Sequence, residues 1–534
     1  MEDGSAQALE VIISQSDQFG FFQKRTFIAT SFLQAITISV LVYTCVATPE
    51  PSTDDPCTVA STNGAEPLNE TFTSFNQTVS VASTNIAHTS KACSSTDTGS
   101  FIFILTLHVP KWLRPLDGLT LSEYTVFGQV SGVILGSLIG AFFGDVYGRR
   151  KPMFVCFILM LVFHILTGVA VSWPVFVVFR IIVGLAAGAF LVVSVVMPME
   201  CIGQDWRDVC ICSGMWTMGV VFLSLETLIT ENWRYLAFLS GAIGTPFIGT
   251  YYLVPESARW LLCQQRFKSS ESGIREMISC NEHAVPGVTS LLDKARASVV
   301  GHMHHKKYTY LDLCHSVDRI KWTIALVYVC LVASTVYFCL AEKTRRITEN
   351  AYVDRFLPYI VDLPLTWSAV VVNKCLGRRW CLFLYAVASG FASLSIIVLD
   401  MTGNLQSMPN MMKGLAIFGK LGVTATLSII AISAVEMFPT VIRCMGTATA
   451  LLSAAAGAIM SKQFKFLRVF QEVQDENHYT VPFLVYGGMM VTVGFAALFL
   501  PETLGRPLPN ILPCRHRKIP LQEGTRLVNT WDNL

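Results

Sequence analysis

Twelve apolar runs, each near 20 residues long, recur along this 534-residue chain and leave little room for a water-soluble fold. A run of that length, coiled as a helix, crosses a hydrocarbon core about 30 Å thick. Lipid offers no partners for backbone N–H and C=O groups, so such a run crosses as a helix. The runs lie at about 26–47, 124–144, 152–171, 174–198, 208–228, 234–254, 320–340, 351–373, 380–400, 411–434, 443–465 and 481–500. "FVCFILMLVFHILTGVAV" is a plain case. The run 351–373 is interrupted by Pro358 and Pro364, and "FIFILTLHV" from Phe101 is too short to span and stops at Pro110. Only 14% of residues are charged and the mean hydropathy is +0.51, against about 25% charged in a soluble domain. The expected fold class is an all-α polytopic membrane protein.

Basic residues orient the spans. Lys24 and Arg25 precede the first, and Arg149, Arg150 and Lys151 follow the second. The 255–319 loop is rich in Lys and Arg, and the tail carries "RHRK" from Arg515, whereas 48–100 holds one basic residue, Lys91. The positive-inside bias places residues 1–25, loop 255–319 and tail 501–534 in the cytosol. Lys343, Arg345 and Arg346, on a loop expected outside, dissent. Residues 1–25 lack the apolar core of a cleavable signal. The outer segment 48–123 carries sequons at Asn69 and Asn76, consistent with glycosylation. Its Cys57 and Cys93 could pair in an oxidising compartment. No CxxC pair, His cluster or nucleophile–base set suggests a metal, a cofactor or an enzyme. No Walker A pattern suggests ATP, and a net charge of +2 gives no reason to expect nucleic acid.

The second half of the chain echoes the first. "GRR" at Gly148 returns at Gly377, Glu200 with Arg207 returns as Glu436 with Arg443, and "PESARW" from Pro255 returns as "PETLGR" from Pro501. The three landmarks keep their order, and each sits at the cytosolic end of a span. Two six-helix halves, 26–254 and 320–500, are therefore expected, twelve transmembrane helices in all, as in repeat-built secondary transporters. Asp145, Glu200 and Glu436 can pair with Arg149, Arg207, Arg378 and Arg443 to close the inner mouth, with water at the rim softening the cost of opening. Glu256, in the first copy of the third landmark, joins this gating set. The alternative is that the arginines only anchor topology.

These motifs resemble the organic cation, anion and zwitterion transporter family (solute carrier family 22 type) of the major facilitator superfamily. "FGFFQKR", "WLRPL", "GDVYGRRKP", "NWRYL", "PESARWLL", "GKLG", "EMFPTVIRCMG" and "PETLGRPLP" follow the family's order nearly end to end. The resemblance implies the major facilitator fold and plasma-membrane transport of a small organic ion through the bilayer by alternating access, with a counter-ion as one energy source. "ESARW" at Glu256–Trp260 and "VDLP" at Val361–Pro364 lean to the organic-anion branch. Several positions depart from it. Thr366 and Ala455 stand where anion transporters carry basic residues, and Cys330 and Leu331 stand where an aromatic pair is expected. Lys374 replaces the acid three residues before Gly377, which removes one collar pair. These departures leave open a relative that no longer transports and acts as a receptor or membrane partner, or a carrier of cations or zwitterions.

Charges inside a span usually face a cavity or a partner. Lys420, on the tenth span, and Asp362, on the eighth, either neutralise each other or supply and tune the field for a substrate. Tyr328 and Tyr337 are candidate stacking surfaces, and Thr366, Ala455 and Cys330 occupy expected substrate-facing positions. Glu226 reads as a wetted rim charge and His164 as a packing residue without an obvious partner. Arg180 with Gly184 and Gly188 resembles the superfamily's fourth-helix motif, where small residues permit close helix contact.

Overall fold

The computed structural model describes residues 4–46, 121–212, 214–230, 232–302, 308–314, 316–344, 351–402, 409–463 and 480–512. Asn69, Asn76, Cys57, Cys93 and the "RHRK" stretch lie outside them. The first half comprises α2 (Phe21–Val46), α3 (Leu121–Tyr147), α4 (Arg150–Val169), α5 (Trp173–Cys201), the short α6 (Arg207–Ile211) leading into α7 (Met215–Ile229), and α8 (Trp233–Gly244). It is preceded by α1 (Gly4–Gln15) and followed by α9 (Ala258–Cys263), α10 (Phe267–Asn281) and α11 (Val288–His302). The second half comprises α12 (Val317–Lys343), α13 (Ala351–Ile360), α14 (Asp362–Leu376), α15 (Arg378–Met401), α16 (Pro409–Met437), α17 (Arg443–Gln463) and α18 (Thr480–Ala497).

Nine stretches among the described residues are helical, long and apolar enough to cross a membrane. The other three expected spans have a local reason to differ. α8 passes at Thr245 into 3-10 geometry through Tyr252, where Pro246 has no N–H to donate. The eighth run divides at Val361 into α13 and α14, between Pro358 and Pro364. The twelfth gives the 18-residue helix α18. Val155, Val162, Leu166 and Val169 of α4 are exposed at helical spacing. An apolar stripe of that kind faces lipid rather than water.

Small residues set the tightest packing. A Cβ on Gly184 or Gly188 of α5 would collide with the backbone carbonyls of Gln129 and Val133 on α3, and one on Gly132 or Gly136 of α3 with those of Ile181 and Leu185. Backbone therefore meets backbone there, as the small-residue motif implies. Among the described residues, the halves meet most extensively at α17 against α3 and α13 against α7, with smaller contacts of α17 on α5 and of α14 and α16 on α6. At one end, α1, α9, α10 and α11 form a small helical cap around Leu9, Ile12, Ile13, Leu262, Ile274, Met277 and Leu292.

Candidate functional site

The repeated "GRR" turn builds the collar at the capped end. Gly148 has φ +112° and Gly377 φ +84°, a region open to glycine and costly for other residues. A Cβ at either place would lie 2.7 Å from a carboxylate oxygen, of Glu256 in one half and Glu502 in the other. Those carboxylates accept the first N–H groups of the following helices. Glu256 takes Arg149 N at 2.8 Å and Arg150 N at 3.3 Å, and Glu502 takes Arg378 N at 3.0 Å and Arg379 N at 3.1 Å. A carboxylate at a helix N-terminus is favoured by the unpaired N–H groups and the dipole. Glu256 is thus a helix cap rather than an arginine partner. Glu502 is its twin by the repeat, which would have found it.

The arginine after each glycine turns inward. Arg149 Nη1 donates to Asp145 at 2.6 Å and Nη2 to Glu200 at 3.1 Å. From the second half, Arg443 Nη1 donates to the same Glu200 oxygen at 2.7 Å. Asp145 also accepts the backbone N–H groups of Cys444 and Met445, at 3.2 and 3.0 Å. In the other corner, Arg378 holds Glu436 at 3.1 Å in its own half and Asp208 of the first half at 2.9 Å. Thr503 donates to Glu436 at 2.6 Å. The collar therefore locks one half to the other and is shut in this structure.

Two expectations about the collar need correction. The pairs are not wetted: the side chains of Arg149, Glu200 and Arg443 are 0% exposed, because helix ends and the 509–510 strap close over them. Arg207 does not pair with Glu200 or Glu436. Its Nη2 donates to Glu10 of α1 at 2.7 Å, and Arg259 binds the same carboxylate. Burial would raise the Glu10 carboxyl, but Arg259 and Arg207 outweigh it and hold Glu10 below the ordinary range. Nothing near Glu10 in sequence announces partners some 200 residues away.

Midway along α16, Lys420 is buried and its Nζ lies 3.0 Å from Asp362 Oδ2. The same ammonium donates to the Pro358 carbonyl at 2.6 Å. It also sits over the rings of Tyr359 at 4.8 Å and Tyr337 at 6.0 Å. The break between α13 and α14 is what brings Pro358, Tyr359 and Asp362 to one point. From the first half, Trp216 Nε1 donates to the Tyr337 hydroxyl at 3.1 Å, so this cluster lies on the seam. Thr366 is one turn along α14, buried opposite Gly214 of the first half, with its hydroxyl spent on the Leu363 carbonyl at 2.8 Å.

Other candidates lie elsewhere. Tyr328 is partly exposed and bonds Thr492 of α18 at 2.8 Å, on the outer side of the half, so it offers no face to this cluster. Cys330 and Ala455 are buried on α12 and α17, which pack together. Glu226 is not a wetted rim charge: it is buried and accepts from Ser240 of α8. His164 has a partner after all. Its Nδ1 lies 3.0 Å from Arg180 Nη1 and its ring meets Tyr43 edge-on, while Arg180 also donates to Gln129 at 2.7 Å. Sequence reasoning missed Tyr359, Trp216 and Asp208. The second tyrosine of the cluster had a signal in its closeness to Pro358.

The model of the "Sugar (and other) transporter" family matches residues 59–512. The chain belongs to that family. The chain is 26% identical to "Organic cation/carnitine transporter 2" of Homo sapiens over 419 residues, 77% of this chain and 71% of the relative. It is 25% identical to "Solute carrier family 22 member 4" of Mus musculus, over 71% of this chain and 67% of that one. Among solved structures it is similar to a proton:xylose symporter of the major facilitator superfamily bound to 6-bromo-6-deoxy-D-glucose. There the TM-score is 0.62 at 17% identity, covering 91% of this chain and 98% of that one. The fold is the twelve-helix major facilitator fold, and the family resemblance read from the motifs holds. This family member is a membrane transporter, not an enzyme.

Proposed function

We propose that the chain carries a small organic ion across the plasma membrane by alternating access, and that the ion is a zwitterion. The observation behind this is the buried Lys420–Asp362 pair, flanked by Tyr337 and Tyr359 at the seam. The motifs "ESARW" and "VDLP" lean to organic anions, and Lys420 alone would supply the positive field for one. Asp362 cancels that charge at 3.0 Å, and a buried charge stripped of its partner is strongly unfavourable. A substrate bringing a carboxylate and an ammonium exchanges with the pair one for one. Its carboxylate takes Lys420, and its cation takes Asp362 and the tyrosine faces. The similarity to a transporter named for organic cations and carnitine supports this class.

In this reading the collar end faces the cytosol, as the basic residues argue, and both termini lie there. The substrate gradient or an exchanged counter-ion supplies the energy. The halves 26–254 and 320–500 rock about the seam while the collar opens and shuts.

Uptake into oocytes tests it with three labelled probes: carnitine as zwitterion, urate as anion and tetraethylammonium as cation. Saturable carnitine flux is expected, reduced about tenfold to a hundredfold by K420A, the worth of one hydrogen bond to a charged group. Flux of urate alone moves the substrate class to organic anions. No flux of any probe, with the protein at the cell surface, sinks the carrier reading and favours the receptor or partner role.

A further inference from the structure

The second collar corner lacks the acid that the repeat calls for. Lys374 stands four residues before Arg378, where Asp145 stands four before Arg149. In the first corner Asp145 serves its own arginine and also receives two N–H groups at the start of α17. The repeat relates Arg207 to Arg443, so the residue after each, Asp208 and Cys444, are twins. Where Asp145 faces Cys444 across the seam, Lys374 has Asp208 across from it. Asp208 accepts Arg378 Nη1 at 3.1 Å and Nη2 at 2.9 Å, and Asn373 Nδ2 at 3.0 Å. Arg378 and Asp208 are both buried. Lys374 sits over the Trp206 ring at 5.6 Å and lines, with Asp208, Asp205 and Gln204, a cleft of about 220 Å³.

We infer that Asp208 is the missing collar acid, moved across the seam to the opposite half. This deepens the alternating-access reading, on which its role as a gate rests. The move changes what opening costs. In the first corner the Asp145–Arg149 pair lies within one half and survives separation. In the second, the ion pair itself spans the seam and must part. Among the described residues, both ion pairs across the seam run from a first-half carboxylate to a second-half arginine: Glu200 to Arg443 and Asp208 to Arg378. The gate is electrostatically polarised although the fold is nearly symmetric. Arg378 keeps Glu436 when the corner opens, whereas Asp208 loses two second-half donors at once. Asp208 is therefore a positioning residue for the shut collar.

The test reads the collar without substrate. Cys212 and Cys381 are fully buried beside this corner, one in each half. Their labelling by maleimide, in purified protein in lipid nanodiscs, is followed by peptide mass spectrometry. D208N is expected to speed labelling of both about tenfold, within the usual range of conformational coupling. D208N/K374D is expected to return the rate to that of the wild type, because K374D supplies an acid that can accept the N–H groups at residues 208 and 209 across the seam, as Asp145 accepts those of Cys444 and Met445. A mere packing defect at Asp208 would not be repaired from the other half. Wild-type labelling in D208N, or D208N/K374D labelling as fast as D208N, overturns the inference. If D208N alone does not fold, a folded D208N/K374D with wild-type labelling supports it, and failure of both overturns it. Absent flux in the uptake assay would remove the transport role and leave this result standing on its own.

Discussion

Two glycines carry the repeat at the level of single residues. Both Gly148 and Gly377 combine a positive φ with a carboxylate oxygen 2.7 Å from any Cβ placed there. Alanine at either position must strain the turn or push aside the helix-capping Glu256 or Glu502. Each of G148A and G377A should cost about 1–3 kcal/mol, and their effects should add, since the sites share no partner. Thermal melting of the purified variants checks this, and a G148A melting point equal to wild type would refute it. These glycines were legible in the sequence because a turn's chemistry is local. Glu226 and His164 were not. Their partners, Ser240 on α8 and Arg180 on α5, arrive only when helices pack, so spacing along one helix misjudged both.

The elements show the same division. Runs of about 20 apolar residues announce spans because the bilayer demands length and apolarity, and nine such stretches among the described residues are helical, long and apolar enough to cross. The broken eighth run was visible in Pro358 and Pro364, but not the consequence: the break delivers a carbonyl and a tyrosine to Lys420. α1 was invisible as a working part. It buries Leu9, Ile12 and Ile13 in the cap, each worth about 1.5–3 kcal/mol. It also places Glu10 between Arg207 and Arg259. E10Q should therefore destabilise the protein by about 2 kcal/mol, less than outright loss of a buried pair. The pH dependence has a definite sign. Glu10 is held below its ordinary value when folded, so its contribution is full above the unfolded carboxyl range, near pH 4.3, and fades as pH falls below it. Melting curves from neutral pH downward should show wild type losing its advantage over E10Q. A gap that stays constant to the lowest pH would contradict the role given to Glu10.

For the whole molecule, the duplicated collar looks symmetric in sequence but divides its labour in space. Glu200 and Glu436 are twins, yet Glu200 ties Arg149 of its own half to Arg443 of the other, while Glu436 binds Arg378 and Thr503 within the second half. Neutralising them should then have different consequences. E200Q weakens a bond that exists only with the collar shut, so it should shift the halves toward the open collar. E436Q weakens contacts that persist through rocking, so its main effect should be on the stability of the second half. Spin labels on the exposed residues Lys151 and Trp380, one per half, give the distance between the collar ends. E200Q should populate a longer distance, about tenfold more than wild type does, and E436Q should do so far less while lowering the melting temperature. Equal shifts from both substitutions would mean that Glu436 also acts across the seam, and the polarised gate would give way to a symmetric one.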